Sequence, residues 1–510
     1  MSGDVTAMEA GVEHLDVLVV GAGISGIAAA YALSRGPKRR FAVLEAIDGH
    51  GGTWRLHRYP GVRSDSDMFT YGFAFKPWRG APIASGAEIL EYLGEAIAEN
   101  GLAPHFRYGW QIARADWDSR TSVWRLKGTR GPDAIPFEMT CGFLWMCQGY
   151  YRHAKGFTPE WPDMAKFQGE IIHPPTWPDG LRLTGKRVVV IGSGATAATL
   201  VPALAGQGAH VTMLQRSPTY FNLQENRHEL ADTLRDLELD PAVIHDILRK
   251  KITYDQNAYF RHVAKHPEQA RQELLRALEN WLPKAEIERH FSPVYSPWQQ
   301  RVAVTPSADL FQAIKSGAAS IVTDQIERFT PTGIALRSGQ SLAADVVITA
   351  TGFEITTLGD AVFSVDGRPV EIDQTSTYRG CMFTGLPNLV RSVGYLRLSS
   401  WTLRAELTAD FVLRLLAQMD ASGAASVEVE MPATISVPAQ NKGSDLKPFT
   451  ATYMMRALQQ MPQSGPGPDW QFEDYWTEKE SFPAIDLTGA PFVYRGPGRQ
   501  RAGRRSIPTS

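Results

Sequence analysis

The chain has 510 residues, well past the roughly 250–300 at which a single hydrophobic core stops growing, so at least two domains are expected. Its 52 basic and 54 acidic side chains leave a formal net charge of −2, which argues against nucleic acid or an anionic membrane as a partner. Three cysteines, Cys141, Cys147 and Cys381, exclude a disulfide framework and a four-cysteine zinc site and suit a reducing compartment.

Near the start, Leu15-Asp-Val-Leu-Val-Val20 is a short apolar run that stops abruptly at glycine, the pattern of a buried parallel strand. Gly21-Ala-Gly23-Ile-Ser-Gly26 then opens a helix-forming run, and Phe41-Ala-Val-Leu-Glu45 reads as the next strand. The uncharged stretch Val17–Leu33 is not a membrane span: acidic residues precede it, glycines punctuate it, it is short, and it lacks a small-residue cleavage site. No transmembrane segment is expected, and the cytoplasm is the expected location.

The same pattern returns further on. Strand Arg187-Val-Val-Val-Ile191 enters Gly192-Ser-Gly194-Ala-Thr-Ala197, a helix runs through Leu200 to Leu204, and His210-Val-Thr-Met-Leu214 leads to Gln215-Arg216. Glu45 follows Gly21, and Arg216 follows Gly192, by the same 24 residues. The region from about 225 to 295 is charged and helix-patterned and reads as an insertion in the second unit. Ala318–Thr323 and Ile334–Gln340 read as strands around a turn, and Asp345–Ala350 as a buried strand ending in Thr351-Gly352-Phe353. From Tyr494 the chain carries Arg495, Arg499, Arg501, Arg504 and Arg505 with no acid, among glycine and proline, and reads as a disordered basic tail.

A helix N-terminus behind close-approach glycines is a pyrophosphate site, because free N–H groups and the helix dipole both favour an anion. The residue ending the second strand then selects the nucleotide. Glu45 offers a carboxylate to ribose hydroxyls and would repel a 2′-phosphate. Arg216, with Ser217 beside it, suits that phosphate. The first unit should therefore hold FAD or NAD and the second NADPH. Hydride transfer between two bound dinucleotides favours FAD in the first.

Two further stretches narrow the chemistry. Phe167-Gln-Gly169-Glu-Ile-Ile-His173-Pro-Pro-Thr-Trp177-Pro178 and Gly51-Gly52-Thr-Trp54-Arg-Leu-His-Arg-Tyr59-Pro60-Gly61-Val-Arg-Ser-Asp65 resemble the two signatures of the Baeyer–Villiger monooxygenases, and Ala350-Thr-Gly-Phe353 resembles a late element of the wider flavin-dependent monooxygenases. The wording around them is similar to the shorter bacterial branch that includes the ethionamide-activating monooxygenase, over about residues 15 to 410. The resemblance implies an α/β fold of two Rossmann-like dinucleotide-binding domains, the NADPH domain inserted in the FAD domain. The expected parts are 1–155 and 336–490 for FAD, 156–335 for NADPH with its helical insertion, and 491–510 as the tail.

The resemblance also implies roles. Arg301 would be the arginine that stabilises negative charge on a flavin-bound peroxide and on the adduct it forms with a ketone, with Asp65 orienting it. Gly21, Gly23, Gly26, Glu45, Gly52, Trp54, Asp65, Thr351 and Gly352 would contact FAD or its surroundings, and Gly192, Gly194, Ala197, Arg216 and Ser217 would contact NADPH. Phe167, Gly169, His173 and Trp177 would form the domain linker, His173 positioning rather than acting as a base. Gln300 stands where the family often has a lysine that helps hold the NADPH phosphate, which places more of that contact on Arg216.

The implied reaction inserts one oxygen atom of O2 beside a ketone carbonyl. Oxygenation of a sulfide or amine is the alternative, since the same peroxide performs both when its protonation differs. A non-oxygenating NADPH-dependent reductase or sensor shares the architecture. Dithiol chemistry needs a C-x-x-C pair, whereas five residues separate Cys141 from Cys147. His262-Val-Ala-Lys-His266 lacks the glutamate of a zinc protease, no G-x-S-x-G hydrolase motif occurs, and no metal is expected.

Overall fold

The computed structural model describes residues 11–396, 399–431, 450–465 and 467–497. Its first sheet has nine strands. Strand Glu13–Val20 lies at the centre of the parallel part, between Phe41–Glu45 and Ile135–Met146, in register Val17↔Phe41 and Leu18↔Leu144. Val17, Leu18 and Val19 are fully buried, as a strand covered on both faces requires. Helix Ile24–Arg35 packs on this sheet, and helix Trp401–Ser422 packs on that helix. Strands Trp110–Asp118 and Val123–Arg130 extend the sheet as an antiparallel ribbon.

The second sheet has five parallel strands in the spatial order Ala319–Thr323, His210–Gln215, Arg187–Ile191, Val346–Thr349 and Glu170–Ile172. This corrects two expectations. Strand Val346–Thr349 lies against Arg187–Ile191, so the second unit runs past the boundary expected at 335/336. Ala319–Thr323 is the edge of this sheet and does not pair with the next strand; Gly333–Leu336 instead pairs antiparallel with Ile326–Thr330 and Ser341–Ala343 in a small separate sheet. Both errors come from reading local pattern where pairing is set by distant partners.

The chain leaves the first sheet and returns to it through a two-stranded antiparallel ribbon, Tyr151–Gly156 against Phe353–Ile355. The helical region comprises Glu229–Asp236, Pro241–Lys265, Pro267–Leu278 and Lys284–His290. Its apolar face is divided: Ala231, Ile244, Leu248 and Ile252 join the core around the first sheet, whereas Leu278, Leu282 and Ile287 join the second. His245 and Arg249 fasten the long helix to the first unit. Trp78 N–H donates to His245 Nδ1 at 3.2 Å, and Arg249 donates to the Gly72 carbonyl at 2.8 Å and pairs with Glu406.

The tail expectation needs a correction at its start. Phe492–Arg495 is a strand antiparallel to Ser426–Val429, and Arg495 pairs with Glu428 and with Glu430 at 2.8 Å. Arg499, Arg501, Arg504 and Arg505 lie outside the described residues. No helix among the described residues is long and apolar enough to cross a membrane.

Candidate active site

Helix Ile24–Arg35 starts at Gly23 with no side chain capping its N-terminus and no acid in its first turn, so its free N–H groups are available to an anion. Gly26 abuts the Gly21 carbonyl so closely that a Cβ there would clash with backbone. The Gly51-Gly52 turn lies directly over this loop. Gly51 N–H donates to the Ala22 carbonyl at 2.9 Å, and a Cβ on Gly52 (φ +52°) would stand 3.2 Å from Gly23 Cα. Glu45 accepts from Ala22 N–H at 2.7 Å and Ile47 N–H at 3.1 Å, while burial raises its pKa. Its carboxylate thus braces the glycine loop at the end of its strand. Trp54 donates its indole N–H to Tyr71 Oη at 2.8 Å and is fixed edge-on to that ring.

The second turn repeats this design with more room. Helix Ala195–Gly206 starts at Gly194, again without a capping side chain, and no atom lies within 4 Å of where a Gly194 Cβ would be. Gly192 packs against the Ala350 carbonyl as Gly21 does against that of Cys147. Ala197, at the third glycine position, is fully buried. Ser193 Oγ lies 2.8 Å from Thr219 Oγ1 and bonds the Ser217 carbonyl at 3.3 Å, tying the loop to the strand end. Arg216 and Ser217 are exposed there, and Arg216 has no ion-pair partner among the described residues.

The second signature stretch joins the two units. Tyr59 is buried in the core of the second unit and shares a hydrogen bond with Thr196; burial, the main cause, pushes its phenol up to about 12. A Cβ on Gly61 would stand 2.7 Å from Ala203 Cβ, so the loop sits directly on the second glycine-turn helix. Arg63 makes a two-pronged pair with Asp309, one contact being 3.2 Å. Arg301 Nε meets Asp65 Oδ2 at 2.8 Å, and its Nη1 donates to the Leu396 carbonyl at 3.1 Å. The two side chains remain 30% and 35% accessible, enough to meet a ligand. Burial opposes the charge of Arg301, but the Asp65 carboxylate outweighs it and holds the guanidinium above its ordinary pKa.

The linker residues cluster around the ribbon. Gly169 is pressed between the Asp345 carbonyl and the Phe167 ring, and Phe167 packs edge-on against Phe329. His173 Nε2 lies 3.1 Å from the Gly352 carbonyl, its ring fills the space a side chain at Gly156 would need, and burial lowers its pKa. Trp177 packs partly against the second core. Thr351 donates to the Phe157 carbonyl at 2.6 Å, and Phe157 N–H donates to the Gly352 carbonyl at 3.0 Å. Thr351 and Gly352 thus clasp the crossing.

Residues 19–78 match the family described as NAD(P)-binding Rossmann-like domain. Over 472 residues the chain is 43% identical to the FAD-containing monooxygenase EthA of Mycobacterium tuberculosis, covering 90% of this chain and 93% of that protein. It is 38% identical to a probable FAD-binding monooxygenase AlmA of an Acinetobacter species, covering 97% and 99%. The chain belongs to the FAD-containing monooxygenases. Among solved structures, an oxidized steroid monooxygenase bound to NADP superposes with a TM-score of 0.76 at 22% identity, covering 95% of this chain and all of that one. A cyclohexanone monooxygenase from Rhodococcus sp. Phi1 bound to NADP+ gives 0.73 at 19%, with the same coverage. These two share the fold.

The residues of this FAD-containing monooxygenase fit both cofactors. Two uncapped helix ends, the close Gly23–Gly52 approach and the open space at Gly194 are cradles that side chains would fill. All three cysteines are free and buried, and burial raises every thiol pKa, Cys147 to about 12, which is inert thiol chemistry.

Sequence reasoning missed two groups. Tyr150 and Tyr453 pack in one apolar cluster with Leu396, whose carbonyl Arg301 binds, and both of them and Tyr151 are within electrostatic reach of Arg301. A signal existed: the doublet follows strand Ile135–Met146, at the carboxyl end of the parallel strands, where α/β folds place ligands. His57 and His153 form the other group. His57 stacks on Phe353 and meets His153 edge-on at 5.6 Å, and nothing in their spacing announced that contact.

Proposed function

We propose that this chain is an NADPH- and FAD-dependent Baeyer–Villiger monooxygenase. It takes a ketone, O2 and NADPH, places one oxygen atom beside the carbonyl to give an ester or lactone, and releases the other as water. The observation that carries this reading is the Arg301–Asp65 pair at 2.8 Å, Arg301 coming from the second unit and Asp65 from the loop that joins the first to it.

FAD, when bound, supplies the electrons that activate dioxygen. Gly21, Gly23, Gly26 and Gly52 would admit it, Glu45 would meet its ribose and Trp54 would wall its ring. Gly192, Gly194 and Ala197 would admit NADPH, whose 2′-phosphate would meet Arg216 and Ser217. Arg301 offers a fixed positive charge to the oxygen on which negative charge develops; one such donor is worth about 2.7–4 kcal/mol in transition-state stabilisation. Asp65 holds the guanidinium in place and keeps its proton. Tyr59 and the Arg63–Asp309 pair hold the two units together around that point.

The relatives at 38–43% identity are named only as FAD-containing or FAD-binding monooxygenases, which leaves the oxygenated atom open, so oxygenation at sulfur or nitrogen stands as the second reading. A panel of cyclic, linear and aryl ketones and of sulfides, incubated with NADPH and isotope-labelled dioxygen and analysed by mass spectrometry, separates the two. Esters carrying one labelled oxygen are expected. Labelled sulfoxides without any ester would replace the first reading by the second, and NADPH consumption without labelled product would remove both.

A further inference from the structure

Tyr150 and Tyr151 make a directed pair. Tyr150 Oη donates to Tyr151 Oη at 2.7 Å. A phenol has a single proton, so Tyr151 must turn its own elsewhere, and no hydrogen bond among the described residues takes it. Packing holds the Tyr150 ring in place. The Tyr150 ring stacks on Trp401 at 5.2 Å and 16°, and the Trp401 indole N–H donates to Ser25 Oγ, within the first glycine turn, at 2.7 Å. The Tyr150 carbonyl accepts from Thr356 N–H at 3.0 Å. Tyr151 lies 4.4 Å from the Phe353 ring, and its backbone pairs with Ile355 in the crossing ribbon. Burial raises the pKa of both phenols, so both are donors at neutral pH, and both feel the charge of Arg301.

We propose that Tyr151 donates its phenolic hydrogen bond to the carbonyl oxygen of the substrate beside Arg301, with Tyr150 fixing the direction of that proton. The assignment rests on the ketone reading above and adds a recognition element to it. The phenol keeps its proton throughout; it strengthens its hydrogen bond as charge builds on the carbonyl oxygen. A thioether sulfur accepts hydrogen bonds only weakly, so the same donor discriminates between substrate classes.

Tyr151→Phe retains the ring and its packing and removes the proposed donor, together with the oxygen that accepts from Tyr150. Its kcat on a ketone is expected to fall about 100-fold, as when one oxyanion donor is lost. KM should stay within about threefold, because the interaction strengthens in the transition state. Sulfide oxygenation should fall by less than about threefold, since little hydrogen bonding is lost there. Tyr150→Phe, which leaves the Tyr151 proton undirected, should lose about tenfold on the ketone. Bound FAD and melting temperature report whether each variant folds.

The assignment is overturned if the ketone kcat of Tyr151→Phe lies within threefold of wild type, or if ketone and sulfide rates fall in step, as a merely structural role would produce. Where wild type accepts no sulfide, the split between kcat and KM decides. A wild-type enzyme that makes no ester refutes the ketone reading itself; one that makes ester equally well in both forms refutes the Tyr151 assignment alone.

Discussion

Mild acid should loosen the junction between the two units, because His57 and His153 are held neutral there. His57 is only 5% exposed, and its Nε2 is buried without a hydrogen-bond partner among the described residues, as is Nδ1 of His153. Burial is the main cause for both, lowering His57 to about 3 and His153 to about 4 from an ordinary 6.5. With the folded pKa depressed, the unfolded chain takes up protons that the folded chain refuses. Stability present above about pH 6.5 is therefore lost progressively as the pH falls towards 4. At pH 5 each group costs about 2 kcal/mol, from 1.36 kcal/mol per pKa unit over the interval between 6.5 and 5. Together they remove about 4 kcal/mol, a large part of the roughly 5–15 kcal/mol by which a native protein is stable. His57→Phe keeps an aromatic ring against Phe353 and cannot titrate. Guanidinium unfolding midpoints at pH 8 and pH 5 should differ less in this variant than in wild type, by about 2 kcal/mol once converted with the slope. Parallel pH dependences in the two proteins would refute the reasoning, whatever the absolute cost of the substitution.

Two further outcomes follow from the nucleotide sites. Arg216→Glu should weaken NADPH relative to NADH by about 10- to 100-fold in kcat/KM, the loss of a charge-assisted contact of about 1.5–3 kcal/mol; an unchanged preference would remove Arg216 from the site. Gly23→Val places a branched side chain where the first glycine turn faces Gly52, so the purified protein should carry clearly less FAD per chain than wild type, measured by flavin absorbance after gel filtration.

The two strand–turn–helix units were legible because they are local: a β-branched run, glycines and a helix-forming run stand in sequence, and Glu45 and Arg216 end strands at matching offsets. Arg301 and Asp65 were legible only through resemblance, since 235 intervening residues separate them and no local pattern couples them. What local reading could not supply was partnership. Strand Val346–Thr349 reads as buried, but only its neighbour Arg187–Ile191 assigns it to the second sheet. The helix Pro241–Lys265 lies in a stretch that reads as helical, but that pattern does not say that Leu248 enters the first core. Arg495 looked like one more cation of a loose tail until Glu428 and Glu430 met it. His57, His153 and His173 come from three separate segments; His57 and His173 converge on Phe353 of the crossing ribbon, and His153 meets His57.

The central claim is that the Arg301 guanidinium, held by Asp65, carries oxygen transfer. Its most direct test is the amount of ester formed per NADPH consumed by FAD-loaded Arg301→Ala, with hydrogen peroxide measured alongside. Wild type should approach one ester per NADPH. The variant should form ester at least 100-fold more slowly, as expected for a lost oxyanion donor, with the electrons appearing in hydrogen peroxide. An Arg301→Ala enzyme that converts ketone to ester with wild-type yield and rate would contradict the account.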